Sequence, residues 1–137
     1  MKITHKLPAQ DPKRGTMTAD VWYYRIEVLN DAAVPVRVVW FEFYYSDHGN
    51  WHGVNKKNKV LQHEDFVAWY SDGDEPPKDA WIQPGQAWVC DPNWHLDVGC
   101  GFYPVKWAYL AVDRQGEVQF AEAVVPEDAC RHYKPVG

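Results

Sequence analysis

Hydrophobic and polar residues alternate with a period of two along much of this chain, which is the pattern of β-strands that bury one face. The clearest stretch is residues 20–30, where one face carries Trp22, Tyr24, Ile26 and Val28 and the other Tyr23, Arg25 and Glu27. Residues 34–45 are almost entirely β-branched or aromatic, with Arg37 and Glu42 at opposite parities. Either both faces of this second strand are covered, or a bulge changes its register near Val39.

Turn-forming residues divide the rest of the chain into further short strands. We predict strands at 2–7, 60–70, 86–90, 105–112 and 117–125, with loops at 72–79 and 91–101. Pro84-Gly85 suits a type II turn, and Gly116 suits the left-handed position of a hairpin. About seven short strands at regular spacing indicate an all-β fold, an antiparallel immunoglobulin-like β-sandwich.

Three short motifs resemble those of bacterial and archaeal immunoglobulin-like adhesion modules of the CARDB type. The first motif is residues 22–49, two strands joined through Asn30. The second motif is Ile82-Gln83-Pro84-Gly85-Gln86. The third motif is Gly101-Phe102-Tyr103-Pro104-Val105, followed by a hairpin that contains Val112-Asp113 and Gly116-Glu117-Val118. The likeness covers most of residues 18–125. It implies an adhesion-type binding role and the sandwich fold.

Two aromatic residues have expected structural roles in such a sandwich. Trp40 lies in the third-strand position, where a large side chain fills the gap between the sheets. Tyr103 precedes a strand at a corner where a tyrosine hydroxyl can bond back to a turn carbonyl. We expect a single domain over residues 1–137, with its core in 18–125 and residues 126–137 as a tail.

Composition and charge exclude several classes of function. The 137 residues carry a net charge of −5, which argues against nucleic-acid binding because that depends on neutralising phosphates. No segment has the roughly 20 apolar residues of a membrane span. The first residues lack an apolar signal region, so we expect a cytoplasmic protein as the sequence is written, or an extracytoplasmic one if this is a mature chain.

The sequence contains few of the residues and motifs that catalysis requires. Only two serines are present, Ser46 and Ser71, and no GxGxxG, Walker, HExxH or CxxC motif occurs. An acid–base pair such as Asp47 and Asp97 with His52 or His95 is conceivable, but the spacing fixes no geometry. The chain is therefore expected to be non-catalytic.

The directions of the predicted strands place a group of candidate functional residues at one end of the sandwich. We call the end with the Asn30–Pro35 turn the upper end and the opposite end the lower end. Strand directions place at the lower end a group of histidines, cysteines and tryptophans: His48, His52, His95, Cys90, Cys100, Trp51 and Trp94, with Cys130 and His132 as further candidates. Asp47 and Asp97 fall at this end as well.

The lower-end group supports three alternative hypotheses. Exposed tryptophans beside polar residues favour a binding surface made of Trp51, Trp94, His48, His52 and His95, for a protein partner or for a glycan. Imidazole and thiolate are ligands of Zn²⁺ and copper, so His48, His52, Cys90, His95 and Cys100 are a candidate metal set. Cys90 and Cys100 could instead form a disulfide.

Acidic residues collect at the upper end. Asp72, Asp74 and Glu75 supply the oxygen ligands that Ca²⁺ prefers, although a solvated loop has the same composition. Taken together, the sequence predicts a non-catalytic binding module for protein interaction or adhesion that acts through the lower end. Metal binding and carbohydrate binding are the alternatives.

Overall fold

Two antiparallel β-sheets form the fold in the computed structural model, which describes residues 1–9, 20–53, 61–72, 81–97 and 102–133. The first sheet contains β1 (Lys2–Lys6), β2 (Val21–Leu29), β6 (Ala87–Leu96) and β9 (Arg131–Tyr133). The second sheet contains β3 (Arg37–Asp47), β4 (Asn50–Gly53), β5 (Leu61–Gln62), β7 (Val105–Val112) and β8 (Val118–Val124). The predicted all-β sandwich is confirmed, with nine strands in the described residues rather than seven.

The order of the strands determines which of them meet at the lower end. In the first sheet β2 is central, with β6 on one side and both β1 and β9 on the other. In the second sheet the order is β4–β3–β7–β8, and β5 shares the β4 side of β3. The first residue of β2, the last of β6 and the whole of β9 therefore lie side by side.

Aromatic side chains fill the space between the sheets. Phe41 and Tyr109 stack in parallel with ring centroids 5.7 Å apart, and Phe66 stacks on Trp88 at 5.5 Å. The side chains of Trp88 and Trp107 are buried, as the alternation of their strands predicts. This packing accounts for many of the aromatic residues in the composition.

The register of β3 changes between Val38 and Trp40, which is the bulge that the sequence left open. Val38 pairs with Ala111, but after the bulge Trp40 pairs with Leu110. Phe41 is consequently the fully buried residue, whereas Trp40 is only half-buried and lies on the outer side of the sheet. The prediction that Trp40 fills the gap between the sheets is therefore wrong, because an extra residue in a strand reverses the facing of all that follow.

The predicted strand over residues 60–70 is mostly a helix. Only Leu61–Gln62 is extended, and α1 spans His63–Trp69. Asp65 accepts a hydrogen bond from the backbone N–H of Gln62 at 2.9 Å, an arrangement that stabilises a helix start. The buried side chain of Phe66 attaches the helix to the core. A short apolar segment fits a strand or a helix equally well on periodicity, which is why the prediction fails here.

Two other segments are more regular than expected. β6 continues through the predicted loop at 91–101 as far as Leu96, with a cis peptide bond before Pro92 and a change of register opposite β2. The predicted tail contains a 3-10 turn at Glu127–Ala129 and the strand β9, which pairs with the start of β2. Among the described residues, no helix has the length and apolar character needed to cross a lipid bilayer.

Candidate functional site

His95 joins the two sheets near the lower end. Its side chain is almost fully buried, Nδ1 lies 3.2 Å from Tyr24 Oη, and its ring lies 5.6 Å from that of Phe43 in the second sheet. Burial lowers the pKa of His95 to about 4, although the nearby Asp97 carboxylate opposes this shift. The imidazole is therefore neutral at neutral pH.

Tyr24 holds this histidine in place. The indole Nε1 of Trp107 donates a hydrogen bond to Tyr24 Oη at 3.0 Å, which leaves the hydroxyl proton of Tyr24 available to His95 Nδ1. Burial raises the pKa of Tyr24 well above its usual value, so the phenol stays protonated. His95 Nε2 is buried and has no hydrogen-bond partner among the described residues.

A group with metal-ligand chemistry lies beside His95. Asp20, Asp97 and His132 each offer a ligand atom, and these atoms lie within 4.8 Å of one another. The strand directions predicted that Asp97 and His132 would reach the lower end. Asp20 was missed, and the signal that could have found it is its place directly before the first residue of β2.

A second candidate region is the outer side of the second sheet. There Lys106 Nζ lies 4.5 Å from the ring centroid of Trp51 and 3.1 Å from Glu122 Oε2. Tyr44 Oη donates a 2.9 Å hydrogen bond to Glu42 Oε2. Aromatic, cationic and anionic side chains thus form one connected network, which we call the Trp51 network.

The Trp51 network depends on close packing and shifts one ionisation. Burial, reinforced by the hydrogen bond to Glu42 and by its charge, raises the pKa of Tyr44 to about 12. Gly53 makes room for Glu42, since a Cβ on residue 53 would lie 2.3 Å from Glu42 Oε1. The two carboxylates of the network, Glu42 and Glu122, pair in register with opposite sides of Ala108.

β8 continues the same outer side to the edge of the sheet. Val118, Phe120 and Val124 point outward with exposed fractions of 62, 55 and 52 per cent. Sheet hydrogen bonding joins β8 to β7 on one side, and no described strand pairs with its other side. The sequence prediction had assigned β8 only a place in the fold.

The predicted binding residues do not form one surface. Trp51 and Trp94 are both exposed and lie in strands rather than loops, but Trp51 is on the outer side of the second sheet and Trp94 on the outer side of the first. His48 occupies the exposed β3–β4 turn with a positive φ of 51°. His52 packs beside Tyr45 in the same hairpin, whereas His95 is buried.

The predicted metal set is likewise dispersed. Cys90 belongs to the hydrophobic core cluster and pairs with Ile26, five residues before His95 on β6. Within the described ranges, His48, His52, Cys90 and His95 do not come together as a group of three ligands. Cys90, one half of the predicted disulfide, is a free thiol. Cys100 itself lies outside the described residues.

The predicted calcium residues can be followed only in part. Asp72 is exposed, and its Oδ2 accepts a 2.5 Å hydrogen bond from Gln86 Nε2. Asp74 and Glu75 lie outside the described residues. Tyr103 donates a hydrogen bond from its hydroxyl to the carbonyl of Leu96 at 3.2 Å, which ties the start of β7 to the end of β6.

Comparison with protein-family models and with the sequences of curated proteins finds no match for this chain.

Proposed function

We propose that this chain is a non-catalytic protein-interaction module that binds an extended strand of its partner along β8. The observation that carries this proposal is the exposure of Val118, Phe120 and Val124 on an edge strand. Edge strands are usually protected from pairing by lysine, proline or a bulge. β8 contains no lysine, arginine or proline, and its pairing with β7 is regular from Val118 to Val124.

The backbone of β8 supports strand addition. Val125 donates its N–H to the carbonyl of Val105, and Glu117 accepts from the N–H of Asp113. Along an antiparallel strand, successive residues direct their backbone N–H and C=O groups alternately to one neighbouring strand and to the other. The odd-numbered residues of β8 therefore bond to β7. The even-numbered residues, 118 to 124, therefore direct their N–H and C=O groups away from β7, to the edge where β1 of the first sheet lies nearby without pairing with β8.

The charges along this edge do not oppose a partner strand. Glu122 is the one charged residue of β8, and its carboxylate is paired with Lys106. Its three outward neighbours on the strand are apolar. A partner strand with apolar residues at alternate positions matches this pattern, since side-chain pockets at alternate positions give strand addition its specificity.

A second copy of the chain is the partner that the strand fits best. If two β8 strands pair antiparallel about an axis at Ala121, Val118 of each chain faces Val124 of the other. Phe120 then faces Glu122 of the other chain, so no two carboxylates lie opposite each other. The two Phe120 rings become diagonal neighbours, which aromatic side chains can bridge.

The direct test is to offer the full-length protein a peptide of residues 117–125 and to follow amide exchange by NMR. We expect protection of the Phe120, Glu122 and Val124 amides, and concentration-dependent dimerisation in light scattering without the peptide. Phe120→Glu should abolish both effects. Leu96→Glu, which changes another exposed apolar residue, on the other sheet, should preserve both. Unprotected amides, or normal binding by Phe120→Glu, would contradict the proposal.

Glycan binding by the Trp51 network is a second candidate function. It is favoured by an exposed indole held by Lys106 with two carboxylates nearby, because sugars bind to aromatic faces flanked by hydrogen-bonding groups. A glycan panel should then quench tryptophan emission in the wild type and in Trp94→Ala but not in Trp51→Ala. Equal quenching in both variants, or none in the wild type, would exclude this function.

A further inference from the structure

The lower end of the first sheet brings three potential metal ligands together from separate parts of the chain. Asp20 directly precedes β2, Asp97 directly follows β6, and His132 is the middle residue of β9. Because β2 pairs with both β6 and β9, these three positions are neighbours. The backbone N–H of Asp97 donates to the carbonyl of Asp20 at 2.9 Å, which fixes the two aspartates relative to each other.

The imidazole of His132 is held by stacking. Its ring lies on that of Trp22 with centroids 4.2 Å apart and an interplanar angle of 16°. The indole also contacts Phe102, edge to face at 5.2 Å. A metal-binding histidine needs a fixed ring orientation, and this stacking provides one.

The contact between His132 and Asp97 differs from an ordinary hydrogen bond. Nε2 lies 3.1 Å from Asp97 Oδ2, but among the described residues this atom has no partner with hydrogen-bond geometry. The oxygen is therefore close to the nitrogen without lying along its N–H direction. Two ligand atoms that approach each other in this way can both point toward one metal ion.

The surroundings of the group provide an independent sign of a missing polar partner. His95 lies near the end of β6, two residues before Asp97, and only 4 per cent of it is exposed. Its Nε2 is buried without a hydrogen-bond partner in the described part of the chain. A bound water or ion can satisfy a buried polar atom of this kind.

We propose that Asp20, Asp97 and His132 bind a divalent transition-metal ion, with Zn²⁺ bound more tightly than Mn²⁺. The two carboxylates balance the charge of the ion, and the imidazole favours Zn²⁺ over Ca²⁺, which prefers six or more oxygen ligands. The Irving–Williams order places Zn²⁺ above Mn²⁺ at a site of this type. Three protein ligands leave a fourth position open to water or to an added ligand.

The test uses full-length protein stripped with a chelator and then titrated with Zn²⁺ and with Mn²⁺. We expect one Zn²⁺ per chain, bound more tightly than Mn²⁺. Co²⁺ should give visible absorption bands and quench the emission of Trp22, and Trp22→Phe should remove most of that quenching. Asp20→Asn, Asp97→Asn and His132→Asn should each weaken Zn²⁺ binding at least about tenfold.

Two matched controls are available. His48→Asn changes an exposed histidine at a positive φ that asparagine adopts easily, and Asp128→Asn changes an exposed aspartate. Both should bind Zn²⁺ as the wild type does. Asp20→Asn keeps the test decisive if Asp97→Asn fails to fold, because Asp20 lies outside the strands. The proposal is overturned if the wild type takes up no stoichiometric Zn²⁺, or if Asp20→Asn and His132→Asn bind it with wild-type affinity. Strand addition at β8 does not depend on this site, so the two proposals fail separately.

Discussion

Asn30 donates a hydrogen bond from Nδ2 to the carbonyl of Ile82 at 2.8 Å, which links the turn after β2 to a segment 52 residues further along the chain. The same amide group donates to the carbonyl of Val34 at 2.9 Å, and its Oδ1 accepts from the N–H of Ala32. The side chain is fully buried. One asparagine therefore satisfies three backbone groups at the upper end of the sandwich.

We expect Asn30→Ala to lower the free energy of unfolding by about 2–3 kcal/mol, because buried carbonyls lose their donors. Chemical denaturation measures this directly. Asn50→Ala, at an exposed position of β4, should change stability by less than about 0.5 kcal/mol. A loss from Asn30→Ala as small as that of the control would show that water replaces the amide without cost.

The sequence pattern predicted the fold correctly where the alternation of residues within a strand agrees with the pairing of that strand in the sheet. The alternation of β2 correctly placed Tyr24, Ile26 and Val28 on a buried face, although Trp22 on that face is only half-buried and Tyr23 on the opposite face is buried. The alternation of β3 could not determine which way Trp40 faces. A one-residue bulge leaves the composition unchanged but reverses the facing of every later side chain. The same limit applies to Trp51 and Trp94, whose common end was predictable from strand directions but whose opposite faces depend on register.

The group of Asp20, Asp97 and His132 could likewise be predicted only in part. Strand directions brought Asp97 and His132 to the lower end, because that argument needs only the number of strands between them. Pairing of β9 with β2 could not be inferred, since β9 has only three residues and follows a segment predicted as a tail. Sequence spacing consequently favoured other histidines and Cys90, which the structure leaves dispersed.

Phe66→Ala should lower the free energy of unfolding by about 3–5 kcal/mol. Phe66 is fully buried and packs against Phe41, Tyr70 and Trp88, so truncation leaves a cavity and removes the attachment of α1. The measurement is urea denaturation, with Glu64→Ala on the exposed side of the helix as the control. Similar midpoints for the two variants would mean that α1 does not pack as described.

Glu42→Gln should shift the pKa of Tyr44 down from about 12 toward its ordinary value of 10. The Glu42 carboxylate accepts the phenol's hydrogen bond and repels the phenolate, and both effects disfavour ionisation. NMR of ¹³C-labelled tyrosine during a pH titration follows this residue. Glu122→Gln should produce a smaller decrease, since its charge is the weakest of the causes. An unchanged titration in Glu42→Gln would contradict the described contact.

His5 should make the protein less stable in mild acid. Burial lowers its pKa in the folded chain from 6.5 to about 4. Above pH 6.5 both states are neutral and the stability is complete. As the pH falls from 6.5 to 4, the unfolded chain binds a proton that the folded chain does not, so stability decreases over that window.

The variant His5→Gln removes this linkage. Between pH 7.5 and 4.5 the wild type should lose about 1–3 kcal/mol more stability than His5→Gln. Guanidinium denaturation at the two pH values measures the difference. Parallel losses in the two proteins would mean that His5 is protonated as easily in the folded state as in the unfolded one.

Cys90 and Cys130 should react very slowly with iodoacetamide in the native protein. Burial, with Asp91 nearby, raises the pKa of the Cys90 thiol to about 12; burial, with Glu127 and Asp128, does the same for Cys130. Because the thiolate is the nucleophile, labelling at pH 8 should be at least about a hundredfold slower than in denaturant. Mass spectrometry of the two peptides measures each rate separately. Rapid native labelling of Cys90 would show that β6 opens where it crosses the core, and would contradict the packing of Cys90 against Ile26.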